Sequence, residues 1–87
     1  MKLRIARRTA RMRITVLDID GELVREGATE LRRLCEGVRG RLRLDLSNLR
    51  AADGDGILAL KELRRQGAEL VGVSPYIGLR LHRAGDD

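Results

Sequence analysis

The stretch "LRLDLSNLRAADGDGILALKELRRQGAELVGVSPYIGLRLH", Leu42 to His82, decides the fold. With Arg41 in front it opens on strict alternation. Leu42, Leu44 and Leu46 fall on one face and Arg41, Arg43 and Asp45 on the other, the period of a half-buried strand. After a loop over Asn48 to Ala52 the period lengthens. Asp53 is placed to cap a helix running from about Gly54 to Gln66. Ile57, Leu60 and Leu63 form its apolar stripe, and Gly67 reads as its stop. "AELVGV" follows as a short buried strand, then Ser74 as a second N-cap and Pro75 as the first residue of a short closing helix.

Upstream, "MRITVLDI", Met12 to Ile19, is β-branched and apolar on both faces, as suits a central strand covered on both sides. Asp20-Gly21 supplies a turn. From Gly27 onward Ala28, Leu31, Leu34, Cys35 and Val38 recur at three- and four-residue steps, with Glu30, Arg32, Arg33 and Glu36 facing away, so an amphipathic helix intervenes. Residues 1–11 form a basic segment or a short edge strand. The order is β-β-α-β-α-β-α. That alternation implies right-handed crossovers and a small α/β sheet of about four strands, mainly parallel, covered by two or three helices. The 87 residues are expected to make one domain over 1–87, burying roughly 60–65% of the unfolded surface.

Charge is unevenly placed. The first thirteen residues hold Lys2, Arg4, Arg7, Arg8, Arg11 and Arg13 and no acid, while the other 74 residues sum to −1. Clustered arginine attracts nucleic acid and anionic lipid, so a basic-arm binder of either is an alternative from a different class. Tyr76 is the one aromatic residue, which leaves no platform for stacking bases, and sixteen arginines against two lysines read more simply as a solvated edge. Nucleic acid is therefore disfavoured. The single cysteine, Cys35, permits no intrachain disulfide and is expected to be a small core residue. There is no apolar run of transmembrane length and no signal-type segment, so the expected location is cytoplasmic.

Two segments mimic catalytic or metal motifs. "VLDIDGEL", Val16 to Leu23, resembles the opening of a haloacid-dehalogenase-type phosphatase, with Asp18 as nucleophile and Asp20 as general acid. Such an enzyme also needs a later Ser/Thr, a Lys and a further acidic pair around magnesium. Lys61 is the only later lysine, and Glu22 stands where Thr is usual. "DGDG" over Asp53 to Gly56 approximates a calcium loop, but Ile57 takes a ligand position and Arg64 the place of the bidentate Glu. His82 has no Cys or second His near it, and Ser47 and Ser74 lack a nucleophile context. No catalytic residue, metal ligand or cofactor is expected.

The stretch from Leu42 to His82 resembles a STAS domain, the family named for sulphate transporters and anti-sigma-factor antagonists. The family pattern is a strand ending in Asp-Leu-Ser, a short loop, Asp-Ser-Ser-Gly or Asp-Ser-Thr-Gly opening a Leu-rich helix, a second strand, then a polar turn with a short helix. Here the pieces are Asp45-Leu46-Ser47, Asp53-Gly54-Asp55-Gly56, Gly67 to Val73, and Ser74-Pro75, with Gly21-Glu22-Leu23 upstream matching a recurrent Gly-Glu-Leu turn. The likeness spans residues 12 to 83. It implies a bacterial, non-enzymatic protein-interaction module acting in transcription regulation and signalling.

In the antagonists the second hydroxyl residue of that motif accepts phosphate from a kinase that is also the anti-sigma factor. This chain carries Asp55 there and Gly54 beside it, and has no Ser or Thr between Asn48 and Val73. It is therefore not phosphorylatable at the usual site, and Asp55 is either a permanent phosphomimetic stand-in or a helix-start residue. The resemblance implies a partner surface of Arg50, Ala52, Asp53, Gly54, Asp55, Gly56 and Leu58, joined by Ser74 and Tyr76. The partner would be a kinase-like anti-sigma factor or, alternatively, a component of a lipid or solute ABC transporter. The short ending relative to the family leaves room for apolar surface and a homodimer.

Overall fold

The computed structural model describes residues 2–82. Its elements are β1 (Leu3–Thr9), a single 3-10 turn (Arg11–Arg13), β2 (Thr15–Leu23), α1 (Arg25–Glu36), β3 (Leu42–Asp45), β4 (Leu49–Ala52), α2 (Gly54–Arg65), β5 (Glu69–Val71) and α3 (Pro75–Leu81). The result is a mixed α/β fold with a five-stranded, mostly parallel sheet and three helices.

The sheet is organised on β2. β1 runs antiparallel along its whole length, from Leu3 opposite Gly21 to Thr9 opposite Thr15. On the other side β3 pairs parallel with Thr15 to Asp18, and β4 pairs parallel with Gly21 to Leu23. β5 adds to β3 as the far edge. Leu17, Ile19 and Leu23 of β2, Leu44 of β3, Leu31 of α1, Ile57, Leu60 and Leu63 of α2, and Ile77 and Leu81 of α3 form one buried cluster. The helices thus share one face of the sheet, with α2 between α1 and α3.

Four expectations need correction. The predicted loop over Asn48 to Ala52 contains β4, because nine-residue β2 outruns four-residue β3 and its last residues need another partner. Leu49 and Ala52 are buried, yet so short a stretch without β-branched residues carries almost no strand signal. Second, Asp20-Gly21 is no turn. It lies within β2 at a register shift, where Gly21 takes φ +100 and a Cβ would come 2.1 Å from the Lys2 carbonyl oxygen.

Third, the strand begins at Thr15 rather than Met12. Met12 and Arg13 adopt positive φ, 64 and 61, to turn the chain back from β1. Fourth, β2 is not covered by helices on both sides. The second face carries Arg8 bridging Asp18 at 2.7 Å and Asp45 at 3.5 Å, with Arg43 on Glu69 at 2.8 Å. A sheet with one packed and one polar face results, and the uncovered sheet face is charged rather than apolar.

Candidate functional site

The start of α2 is seated on the end of β2. The Asp53 backbone N–H donates to the Leu23 carbonyl at 3.1 Å. Its carboxylate accepts from the Gly56 N–H at 2.8 Å, so Asp53 is the N-cap that its place in the sequence implies. Gly56 is buried, and a Cβ there would come 2.2 Å from the Leu23 carbonyl oxygen and 3.2 Å from the Ala52 Cβ. This glycine is needed for close packing of helix on strand. Gly54, one turn-start earlier, is exposed and faces open space.

Asp55 lies in the first turn of α2, where the helix dipole favours an anion. It is not a free charge. The Nε of Arg25 donates to its carboxylate at 3.1 Å, across thirty residues. Arg25 is the first residue of α1, a helix without a side-chain N-cap and a poor place for a cation on dipole grounds. The pair therefore ties two helix starts together and offsets both charges at the surface, the Asp55 side chain being 46% exposed.

α3 borders the same region. The Ser74 hydroxyl accepts from the Ile77 N–H at 3.2 Å, capping the helix behind Pro75. Arg80 donates to the Ala52 carbonyl and lies 5.9 Å from the centre of the Tyr76 ring. Tyr76 is thereby held beside the β4–α2 junction by a cation over its face. Leu58 on α2, and Tyr76 and Leu79 on α3, are 48%, 55% and 65% exposed, so both helices present apolar groups outward.

Of the sequence-derived residues, Asp53, Gly54, Asp55 and Leu58 lie on the first turns of α2, with Asp55 turned toward α1 through Arg25, while Ser74 and Tyr76 lie at the start of α3, which Arg80 ties to the end of β4. Ala52 and Gly56 are buried. Arg50 stands apart, lining a cleft of about 640 Å³ with Lys2, Leu3, Arg4, Asp20, Gly21, Ser47 and Asn48. Arg25 and Arg80 were missed. Arg80 had a local signal, four residues beyond Tyr76 on one helix, whereas Arg25 pairs across thirty residues and had none.

Other candidate groups are spoken for by structure. Asp18 accepts from Arg8 on the charged sheet face. Asp45 is held below the usual carboxylate range, first by the Ser47 hydroxyl at 2.6 Å, then by the Ser47 backbone N–H and the nearby Arg8. Cys35 is half-buried against the core, and that burial pushes its thiol up to about 11. It borders a cavity of about 560 Å³ at the opposite end of the sheet, among Arg32, Arg41, Leu42, Glu62 and Ala68. Among the described residues no three His, Cys, Asp or Glu side chains are grouped to hold a metal ion, and no helix is long and apolar enough to cross a membrane.

No family model matches the chain, and no curated protein matches it. A solved structure does: the crystal structure of an anti-sigma-factor antagonist, a STAS domain from Rhodobacter sphaeroides. The TM-score is 0.53 at 18% sequence identity, covering 80% of this chain and 86% of that one. At that identity the likeness speaks to fold, and the fold is STAS-like.

Proposed function

We propose that this STAS-like domain is a non-enzymatic, cytoplasmic protein-interaction module of the anti-sigma-factor-antagonist kind, held permanently in the binding-competent state. Its contact surface is the helix layer around the starts of α2 and α3: Asp53, Gly54, Asp55, Leu58, Ser74 and Tyr76. The observation that carries the reading is the Arg25–Asp55 pair at 3.1 Å on an exposed helix start. A phosphoryl group there would bring nearly two negative charges. Asp55 brings one, and Arg25 offsets it, so a partner meets less negative charge at position 55 than a phosphoryl group would present. Asp55 is then not a phosphate stand-in but a substitute for the uncharged hydroxyl form. Leu58 and Tyr76 supply the apolar area that an interface core needs.

The experiment is site-specific photo-cross-linking in the native host from position 58, with position 43 on the opposite sheet face as control. The expected product is a kinase-type anti-sigma factor, or a component of a lipid or solute ABC transporter if that reading of the partner holds. With the purified partner, Arg25→Ala should weaken binding by unmasking Asp55, and Asp55→Ala in the same chain should restore it. Cross-links arising only from position 43, or an Arg25→Ala variant with unchanged affinity, would sink the proposal.

A further inference from the structure

We infer that the outer edge of β1 is a second docking site, for an extended partner segment in which acidic and apolar residues alternate. β1 pairs with β2 alone, and among the described residues no strand occupies its other side. The register shows which groups are free. The Glu22 N–H donates to the Lys2 carbonyl, and the Ala10 N–H donates to the Ile14 carbonyl. Even-numbered β1 residues therefore form the hydrogen-bonded pairs with β2, since such pairs alternate in an antiparallel ladder. The N–H and C=O groups of Leu3, Ile5, Arg7 and Thr9 point outward, a row of donors and acceptors able to accept another strand.

The side chains along this edge select the occupant. Arg4 and Arg8 lie opposite Asp20 and Val16 on the charged sheet face, while Leu3 and Ile5 lie on the helix face and pack partly into the core. Lys2 and Arg4 also line the cleft that Arg50 enters. A strand laid alongside would meet the cations Arg4 and Arg8 on one face and, over its first half, the apolar Leu3 and Ile5 on the other, with exposed Arg7 following them. A second copy of β1 fits badly. Two-fold antiparallel registers centred on Ile5, Ala6 or Arg7 set Lys2 against Arg8, Arg4 against Arg8, or Arg7 against its own copy, and like charges directly opposite are destabilising. The complementary occupant is a partner segment reading acid–apolar–acid.

The test uses the full chain and a synthetic peptide of about eight residues alternating Glu and Val, long enough to span β1. Binding is measured by fluorescence anisotropy beside an all-Glu peptide, a DNA duplex and anionic phosphatidylglycerol vesicles. The alternating peptide should bind most tightly, and hydrogen exchange at the Leu3, Ile5, Arg7 and Thr9 amides of the unaltered protein should slow when it does. Arg7→Pro removes an outward N–H without touching the β2 ladder. It should bind about tenfold more weakly than Arg7→Ala, which loses the same charge. Equal binding by all four probes, equal affinity of the two Arg7 variants, or unchanged exchange at those amides overturns the inference.

Discussion

The two glycines of the α2 start separate local conformation from packing. Gly54 has open space and an ordinary backbone angle, whereas Gly56 lies against the Leu23 carbonyl. Gly54→Ala should therefore leave stability unchanged or raise it by about 0.4–1 kcal/mol through the unfolded chain. Gly56→Ala should cost about 1–3 kcal/mol, because backbone must move. Thermal unfolding followed by circular dichroism reads both, at about 4–8 °C per kcal/mol for a domain this small. Equal midpoints for the two variants would refute the packing role. Asp53→Ala removes the cap and should cost about 1 kcal/mol by the same measurement. Cys35 gives a chemical test: a thiol pushed up to about 11 should be alkylated at pH 8 at least about tenfold more slowly than a free cysteine peptide. Alkylation as fast as the peptide's would mean the side chain is not sheltered.

The elements show which parts of the fold a sequence can carry. The amphipathic stripes, the Asp53 and Ser74 caps, Pro75 and the Gly67 stop were legible because each is a local pattern with a local cause. β4 was not legible, since its four residues form a strand only because β2 extends past β3. The Arg25–Asp55 tie between helix starts was hidden for the same reason, as was the polar second face of the sheet. That face has an acid response of its own. Asp45 has a carboxyl held below its ordinary value by Ser47 and Arg8, so it contributes stability above the unfolded carboxylate range. The contribution is lost as pH falls through the lowered folded value. Unfolding midpoints measured from pH 5 downward should fall less steeply in Asp45→Asn than in the parent below about pH 4. Parallel acid limbs would remove Asp45 from that account.

At the scale of the molecule, the basic N-terminus is part of the fold rather than an appended arm. β1 pairs with β2 from Thr15 to Gly21, and Leu3 and Ile5 pack against the core. Removing residues 1–13 should abolish cooperative thermal unfolding, since β2 would lose one complete side; a truncated chain that still melts cooperatively would contradict this. Neutralising Arg4, Arg7, Arg11 and Arg13 individually is therefore the sound way to ask whether nucleic acid or anionic membrane binds there. Homodimerisation through the helix-free sheet face has little apolar surface to drive it, because Arg8, Asp18, Asp45, Arg43 and Glu69 are already paired across it. Of the exposed large apolar side chains, Met12 lies on the turn after β1 and Leu34, Leu58, Tyr76 and Leu79 lie on the helix layer, which is the layer of the proposed partner surface. The most direct measurement is the affinity of the cross-linked partner for Leu58→Asp and for Arg43→Ala, by calorimetry with purified components. Leu58→Asp should weaken binding about tenfold or more, as for a buried interface position, with Arg43→Ala within about twofold of the parent. An unaffected Leu58→Asp variant would contradict the account, and a loss confined to Arg43→Ala would place the partner on the sheet face instead.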